Sequence, residues 1–386
     1  MKAYNETSLL NHDIRTQAER WHRQGLLSTP QLTAVQQAYP GSFQQNNTFV
    51  DIGIFIFTIV AVAGGYALLV LLLGESFGRL FGLLDGGLAV GLIAFAQSLI
   101  RRKKLYRNGV DNALVLCATV LALAGIVDVF PAGTSLWIYC LAFLPVLLAV
   151  VWFYGDLLVT FLLVSTVYAL AFDLTLELAS GRMWLPFVGI GLSAGLYGLA
   201  HSLKKRPDTF YWADACALTE WYTLLLGLGC GNYYVVREVD ALLANESGGS
   251  PALRLGPLFW GLTVGLPLTY VAFGFRQKNR MALVLGVLGA AGAVATVLTY
   301  YPVLPKSVAL TLGGGALTGL AVGLIRYLQA PRYGFSDQAD DDALRDVFTN
   351  VQTLATMQVA SGTGGRPDEL RFGDGDFGGA GADGKY

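Results

Sequence analysis

Glu220 and Asp85 stand inside long apolar runs, and acids in such places are where this sequence could do chemistry. An Asp at the middle of a spanning helix costs about 2.5–3.5 kcal/mol on insertion scales, so each needs a partner or a purpose. A carboxylate held at depth can take up and release a proton or a cation, which is what a coupled carrier requires. No Lys or Arg falls inside the apolar runs to neutralise either one. Asp128, Asp173 and Glu177 lie nearer the ends of their runs, and the last two are four apart on one helical face. They are weaker candidates for an outer vestibule that attracts cations. Other chemistry lacks its residues. HExxH and P-loop patterns are missing, and His12, His22 and His201 are far in sequence from Cys117, Cys140, Cys216 and Cys230. No catalytic residue, metal or cofactor is therefore expected, and the cysteines read as small buried hydrophobes.

The elements that must position these acids are membrane helices. Of 386 residues, 54% are hydrophobic and 14% charged, against about 25% charged in ordinary soluble domains. Lys and Arg gather at the ends of the apolar runs, as they do when the solvent is hydrocarbon. Short basic clusters beside apolar spans do not suit nucleic acid. A helix needs roughly 20 apolar residues to cross. Runs of that length predict about ten spans: 52–73, 80–100, 113–130, 136–153, 157–177, 184–203, 214–235, 257–275, 281–300 and 307–327. The first run begins near Val50, too late for a cleavable leader, so it is expected to be a retained anchor.

The distribution of basic residues sets the orientation. Loops after spans two, six and eight carry eleven, from Arg101 to Arg107, Lys204 to Arg206 and Arg276 to Arg280. The opposite loops carry five: Arg79, Arg182, Arg237, Arg254 and Lys306. The richer side is expected to be cytoplasmic, and an even number of spans puts both termini there. Glu220 then lies roughly 10 Å inside the cytoplasmic end of its helix, at 1.5 Å per residue, and Asp85 about as deep from the outer end.

Glycines four apart recur in the spans that run inward: Gly87 and Gly91, Gly191 and Gly195, Gly261 and Gly265, then Gly315, Gly319 and Gly323. Such pairs share a face and allow close backbone approach. They predict helical hairpins packed through these faces, and a possible internal repeat of the kind seen in transporters. The fold class is thus an all-α integral membrane protein in four parts. Residues 1–48 form a cytoplasmic helical hairpin and 49–328 the membrane domain. A linker with an amphipathic helix covers 329–360, and a Gly- and Asp-rich tail covers 361–386.

Within the first part, residues 8–39 read as two short helices separated at Gly25, the second opened by a Ser28–Gln31 capping box. Such a hairpin needs a surface to pack on: the membrane domain, the tail or a partner. Residues 337–386 hold ten acids against four bases. Leu344, Val347, Phe348, Val351 and Leu354 form an apolar stripe there, a possible protein contact through 340–358. The tail beyond has the composition of a disordered segment.

The stretch from Ala18 through Trp21, Gly25 and Ser28 to Gln31, then Tyr39-Pro40, Asn47 and Ile52-Gly53 to Thr58, resembles a family of bacterial multi-pass membrane proteins. That family carries a domain of unknown function with a short helical hairpin ahead of its hydrophobic helices. The resemblance covers about the first 70 residues and implies a bacterial cytoplasmic membrane location, with no catalytic residues to carry over. A carrier for a small solute or ion is the first functional reading. A membrane-anchored scaffold or sensor, presenting its cytoplasmic ends to a protein partner, is the second. The bilayer is the expected surrounding in both, and the oligomeric state is not legible.

Overall fold

A backbone in hydrocarbon must satisfy its own amide groups, and an α-helix does so within one segment. The computed structural model describes residues 3–4, 6–40, 48–73, 80–103, 108–244 and 255–301, with separate helical positions between 308 and 326. Among these residues the regular structure is helical throughout: α1 (Glu6–Arg23), α2 (Thr29–Ala38), α3 (Thr48–Leu73), α4 (Leu80–Lys103), α5 (Gly109–Val129) and α6 (Leu136–Tyr154). Then come α7 (Leu157–Leu176), α8 (Gly181–Lys204), a 3-10 helix (Pro207–Trp212), α9 (Ala213–Gly231), α10 (Tyr233–Ala244), α11 (Gly256–Gln277) and α12 (Arg280–Tyr300). Residues Met1–Asn46 and Val50–Ala339 form one unit. Of a second, Asn47–Phe49 with Asp340–Tyr386, only Thr48 and Phe49 are described.

Eight helices, α3 to α8 with α11 and α12, are each long and apolar enough to cross a membrane. Their large side chains stay exposed at many positions, such as Phe57, Leu71, Leu72 and Leu83. That is costly in water and neutral against lipid tails. The chain is an all-α, multi-pass membrane protein. Two of the ten expected spans stand differently. The span expected over 214–235 is two elements, because Asn232 ends α9 and opens α10. Its Oδ1 accepts from the amides of Tyr234 at 2.9 Å and Val235 at 3.3 Å. An apolar count runs straight through this break, since the residues on both sides are apolar. The run 307–327 is described only at scattered helical positions, and the stretches 340–358 and 361–386 lie outside the described residues.

Although α9 is not apolar enough to qualify alone, it runs the length of α8 in antiparallel register. Glu220 meets His201 and Lys204 at one end, Gly227 meets Ser193 midway, and Cys230 meets Gly189 at the other. Helices α7, α10, α11 and α12 also contact it. Of its polar residues Glu220 and Thr223 are buried among these neighbours, while Asp214 is exposed.

The glycine faces expected to pack meet no neighbour among the described residues. No atom of a described neighbour lies within 4 Å of where a Cβ would stand on Gly87, Gly91, Gly191, Gly195, Gly261, Gly265, Gly315, Gly319 or Gly323. Close approaches occur at other glycines. A Cβ on Gly82 would stand 3.0 Å from the Gly125 carbonyl oxygen, and one on Gly125 2.8 Å from the Gly82 oxygen. Four-residue spacing defines a face of a helix without saying what that face meets.

At the end bearing Arg101 and Arg102, the N-terminal segment is docked. The hairpin turns at Gly25, whose φ is +75°, and Gln31 Oε1 accepts from the Ser28 amide at 2.8 Å, as the capping box predicts. Tyr4 and Leu9 join Ile100, Leu114, Val115, Tyr154 and Tyr211 in one buried cluster. The Ala3 amide donates to the Phe153 carbonyl at 2.9 Å. Of the three surfaces considered for the hairpin, the membrane domain holds α1, whereas α2 has no buried residue. The α6–α7 turn follows the sequence: Gly155 takes the left-handed conformation (φ +61°), and Asp156 Oδ1 caps α7 by accepting from the Val159 amide at 2.8 Å.

Candidate functional site

Residues three and four apart on a helix share a face. On α9 this rule aligns Cys216, Glu220, Thr223, Gly227 and Cys230, and the first four of these are buried. Glu220 is 2% exposed. Its Oε1 lies 2.9 Å from His201 Nδ1, and its Oε2 accepts from Lys204 Nζ at 3.2 Å. Both partners stand on α8, three apart, and their side chains remain 34% and 40% exposed. Lys204 thus corrects the expectation that Glu220 has no base to neutralise it. His201 lies three residues before the end of α8 and Glu220 seven beyond the start of α9, so a hairpin register was the available signal. The His201 ring stacks on Tyr197, centroids 5.6 Å apart and planes 11° from parallel. Tyr197 in turn accepts from Asn279 Nδ2 at 3.4 Å.

Further along the same face, hydroxyls replace charges. Ser193 Oγ and Tyr168 Oη are 2.8 Å apart and buried. Tyr270 Oη donates to the Leu224 carbonyl at 3.3 Å. Tyr222 and Ser165 pair at 3.0 Å beside them. Thr223 is satisfied within its own helix, donating to the carbonyls of Thr219 and Glu220. Gly227 matters for space alone: a Cβ there would stand 3.0 Å from Tyr270 Oη and 3.4 Å from Ser193 Oγ.

A second buried acid lies where α4 meets α5. Asp85 is 1% exposed and packs its Cβ against Gly125. Tyr66 of α3 is close enough to act on its carboxyl group, while Oδ1 has no partner among the described residues. Asp128, on α5, is exposed and close enough to act on Asp85 electrostatically. Among the described residues Asp173 and Glu177 take other roles. Asp173 Oδ2 instead accepts from the Trp137 amide at 2.9 Å, tying the start of α6 to α7. Glu177 is the exposed C-cap residue of α7. Replacing Asp173 by Ala is expected to cost about 1 kcal/mol, as for a lost helix cap, read as a lower melting temperature in detergent.

A third acid was not singled out from sequence as a site. Asp111, fully buried in the first turn of α5, accepts from Tyr4 Oη at 2.6 Å. Asn108 caps the same helix by accepting from the Val110 amide at 3.2 Å. An acid in the first turn suits the helix dipole, so nothing in the local pattern marks it as a docking point. Comparison with known protein families, with curated proteins and with solved structures gives no match.

Proposed function

We propose that the chain is a carrier for a small solute or ion, with Glu220 as its coupling site and Asp85 as a second site nearer the opposite end. The supporting observation is the setting of Glu220: a carboxylate buried on a helix packed against candidate spanning helices, bonded to two groups that reach solvent. Such a site can exchange a proton or cation with water at one end while its carboxylate faces the protein interior. Taking up a proton removes the charge that holds Lys204, so occupancy at Glu220 changes how α8 and α9 are tied. The location that goes with this reading is a bacterial cytoplasmic membrane, with the Arg101 and Lys204 end facing the cytoplasm. Docking of Tyr4 at that end agrees with a cytoplasmic N-terminus.

The scaffold reading keeps one observation of its own. Trp21, Leu26 and Tyr39 of the N-terminal hairpin are exposed, as a protein contact would need. The test is the thermal stability of purified protein over a pH series and a panel of ions and metabolites, for wild type and Glu220→Gln. A carrier is stabilised by its own ligand, by about 2.7 kcal/mol at a hundredfold excess over Kd, and Glu220→Gln loses that shift. No ligand-specific shift in wild type overturns the carrier reading. If deleting residues 337–386 then removes a co-purifying protein, the scaffold reading takes its place.

A further inference from the structure

We infer that α10 is an interfacial helix: it lies against the bilayer at the end of the membrane domain opposite Lys204, with Val235, Val239 and Leu242 set into lipid. The inference holds under the carrier and the scaffold readings alike. At 1.5 Å per residue, the 12 residues of α10 reach roughly 18 Å, too short to cross about 30 Å of hydrocarbon. A helix of that length belongs in a protein core or along a membrane surface.

The side chains of α10 are sorted against what water would favour. Two of its charges turn inward. The Arg237 guanidinium stands 4.9 Å from the centre of the Tyr300 ring, and Asp240 Oδ1 accepts from Arg182 Nη2 at 2.9 Å. On the same side Tyr233 and Val236 are buried in one cluster with Phe259. The side turned away from the protein carries Val235, Val239, Leu242 and Leu243, all exposed, Leu242 by 79%. They recur at i, i+4, i+7 and i+8, a single apolar stripe of a helix. Glu238 and Tyr234, also exposed, flank the stripe on one side, where an acid and a phenol can reach water. An apolar stripe with a polar flank is what a helix lying in the membrane interface presents.

The attachments of α10 set its depth. At its start, Tyr233 stacks on Trp260 in the second turn of α11, with centroids 4.8 Å apart. Towards its other end, Asp240 holds Arg182 in the first turn of α8, two residues from Trp184. Both ends are thus held where spanning helices begin, near Trp184, Trp260 and Tyr300, ring types that collect at the boundary of lipid and water. Apolar surface continues up to α10: Met183 and Trp184 beside Arg182, and Leu258 beside Phe259, are themselves exposed. A second copy of the chain suits the stripe less. Four side chains fall far short of the ~800 Å² that each partner buries in a standard interface.

The test places the photoreactive residue p-benzoylphenylalanine, one position at a time, at Val235, Val239 and Leu242 of full-length protein in phosphatidylcholine liposomes. Leu83, exposed on α4, is the control for lipid, and Gln24, exposed in the N-terminal hairpin, the control for water. The replaced side chains are exposed, so the probe displaces little packing, and each variant's melting temperature is compared with wild type. Leu242, the most exposed, decides where a probe elsewhere lowers that temperature. The expected result after irradiation is a mass increase of one phospholipid at all three positions, with yields near that at Leu83 and none at Gln24. Adducts at Leu83 but at none of the three overturn the inference and put the stripe in water. Crosslinks from the three to a second copy of the chain overturn it as well, and make the stripe a contact between copies.

Discussion

Gly125→Leu is expected to destabilise the protein by about 3 kcal/mol or more, at the upper end of what overpacking costs. At this point α4 and α5 meet backbone to backbone. Even a Cβ on Gly125 would lie 2.8 Å from the Gly82 carbonyl oxygen, and 3.3 Å from both Asp85 Cβ and the Gly86 amide nitrogen. The first and last of these are main-chain atoms of a helix, which cannot turn aside as a side-chain tip does. The helices must part instead, and the buried residues along α5, including Leu114, Val115 and Thr119, lose neighbours with them. Gly191→Leu is the control. Nothing described lies within 4 Å of its Cβ position, so its melting temperature should stay near wild type or rise slightly with the better helix former. Equal melting temperatures for the two variants in detergent would contradict the α4–α5 contact.

Asp85→Ala should do the opposite to stability while removing function. The native carboxyl group is buried with Oδ1 unpartnered among the described residues, and an unmatched buried polar group costs about 1–3 kcal/mol, more when charged. Alanine removes that cost and leaves a small gap, so the expected change is a gain of about 1 kcal/mol. Tyr66 is only partly buried and can turn its hydroxyl elsewhere. Under the carrier reading, the same variant loses ion-linked stabilisation at this site. Stability kept below its maximum where activity needs an awkward group is a common trade. A lower melting temperature for Asp85→Ala, with ligand response intact, would make Asp85 a structural residue.

Much of the membrane fold could be read from hydropathy, because burial in lipid leaves an unbroken record in the chain. The α6–α7 turn was equally plain, since Gly155 and Asp156 carry their own geometry. Three things were hidden for distinct reasons. The α9–α10 break depends on the side chain of Asn232 competing for amides, within a run that stays apolar on both sides. Helix contacts depend on register between distant segments, so Gly82 and Gly125 pack while the repeated glycine pairs meet no described neighbour. Burial of Glu220 and Asp85 followed from position alone. The partners of Glu220 did not, because His201 and Lys204 reach it only once a hairpin brings α8 beside α9. Asp111 shows the same limit: its donor is 107 residues away in the chain.

That separation also sets an order of assembly. Tyr4 leaves the ribosome long before Asp111, and Tyr211, whose ring centroid is 6.4 Å from that of Tyr4, follows later still. Synthesis proceeds at about 5–20 residues per second, so the N-terminal segment waits many seconds while α3 to α8 are threaded into the bilayer. Until then Tyr4 and Leu9 lack the part of their cluster that Tyr211 completes. A closed N-terminal latch is therefore a record that the helices as far as α8 are in place, and an open one marks a chain still short of that stage.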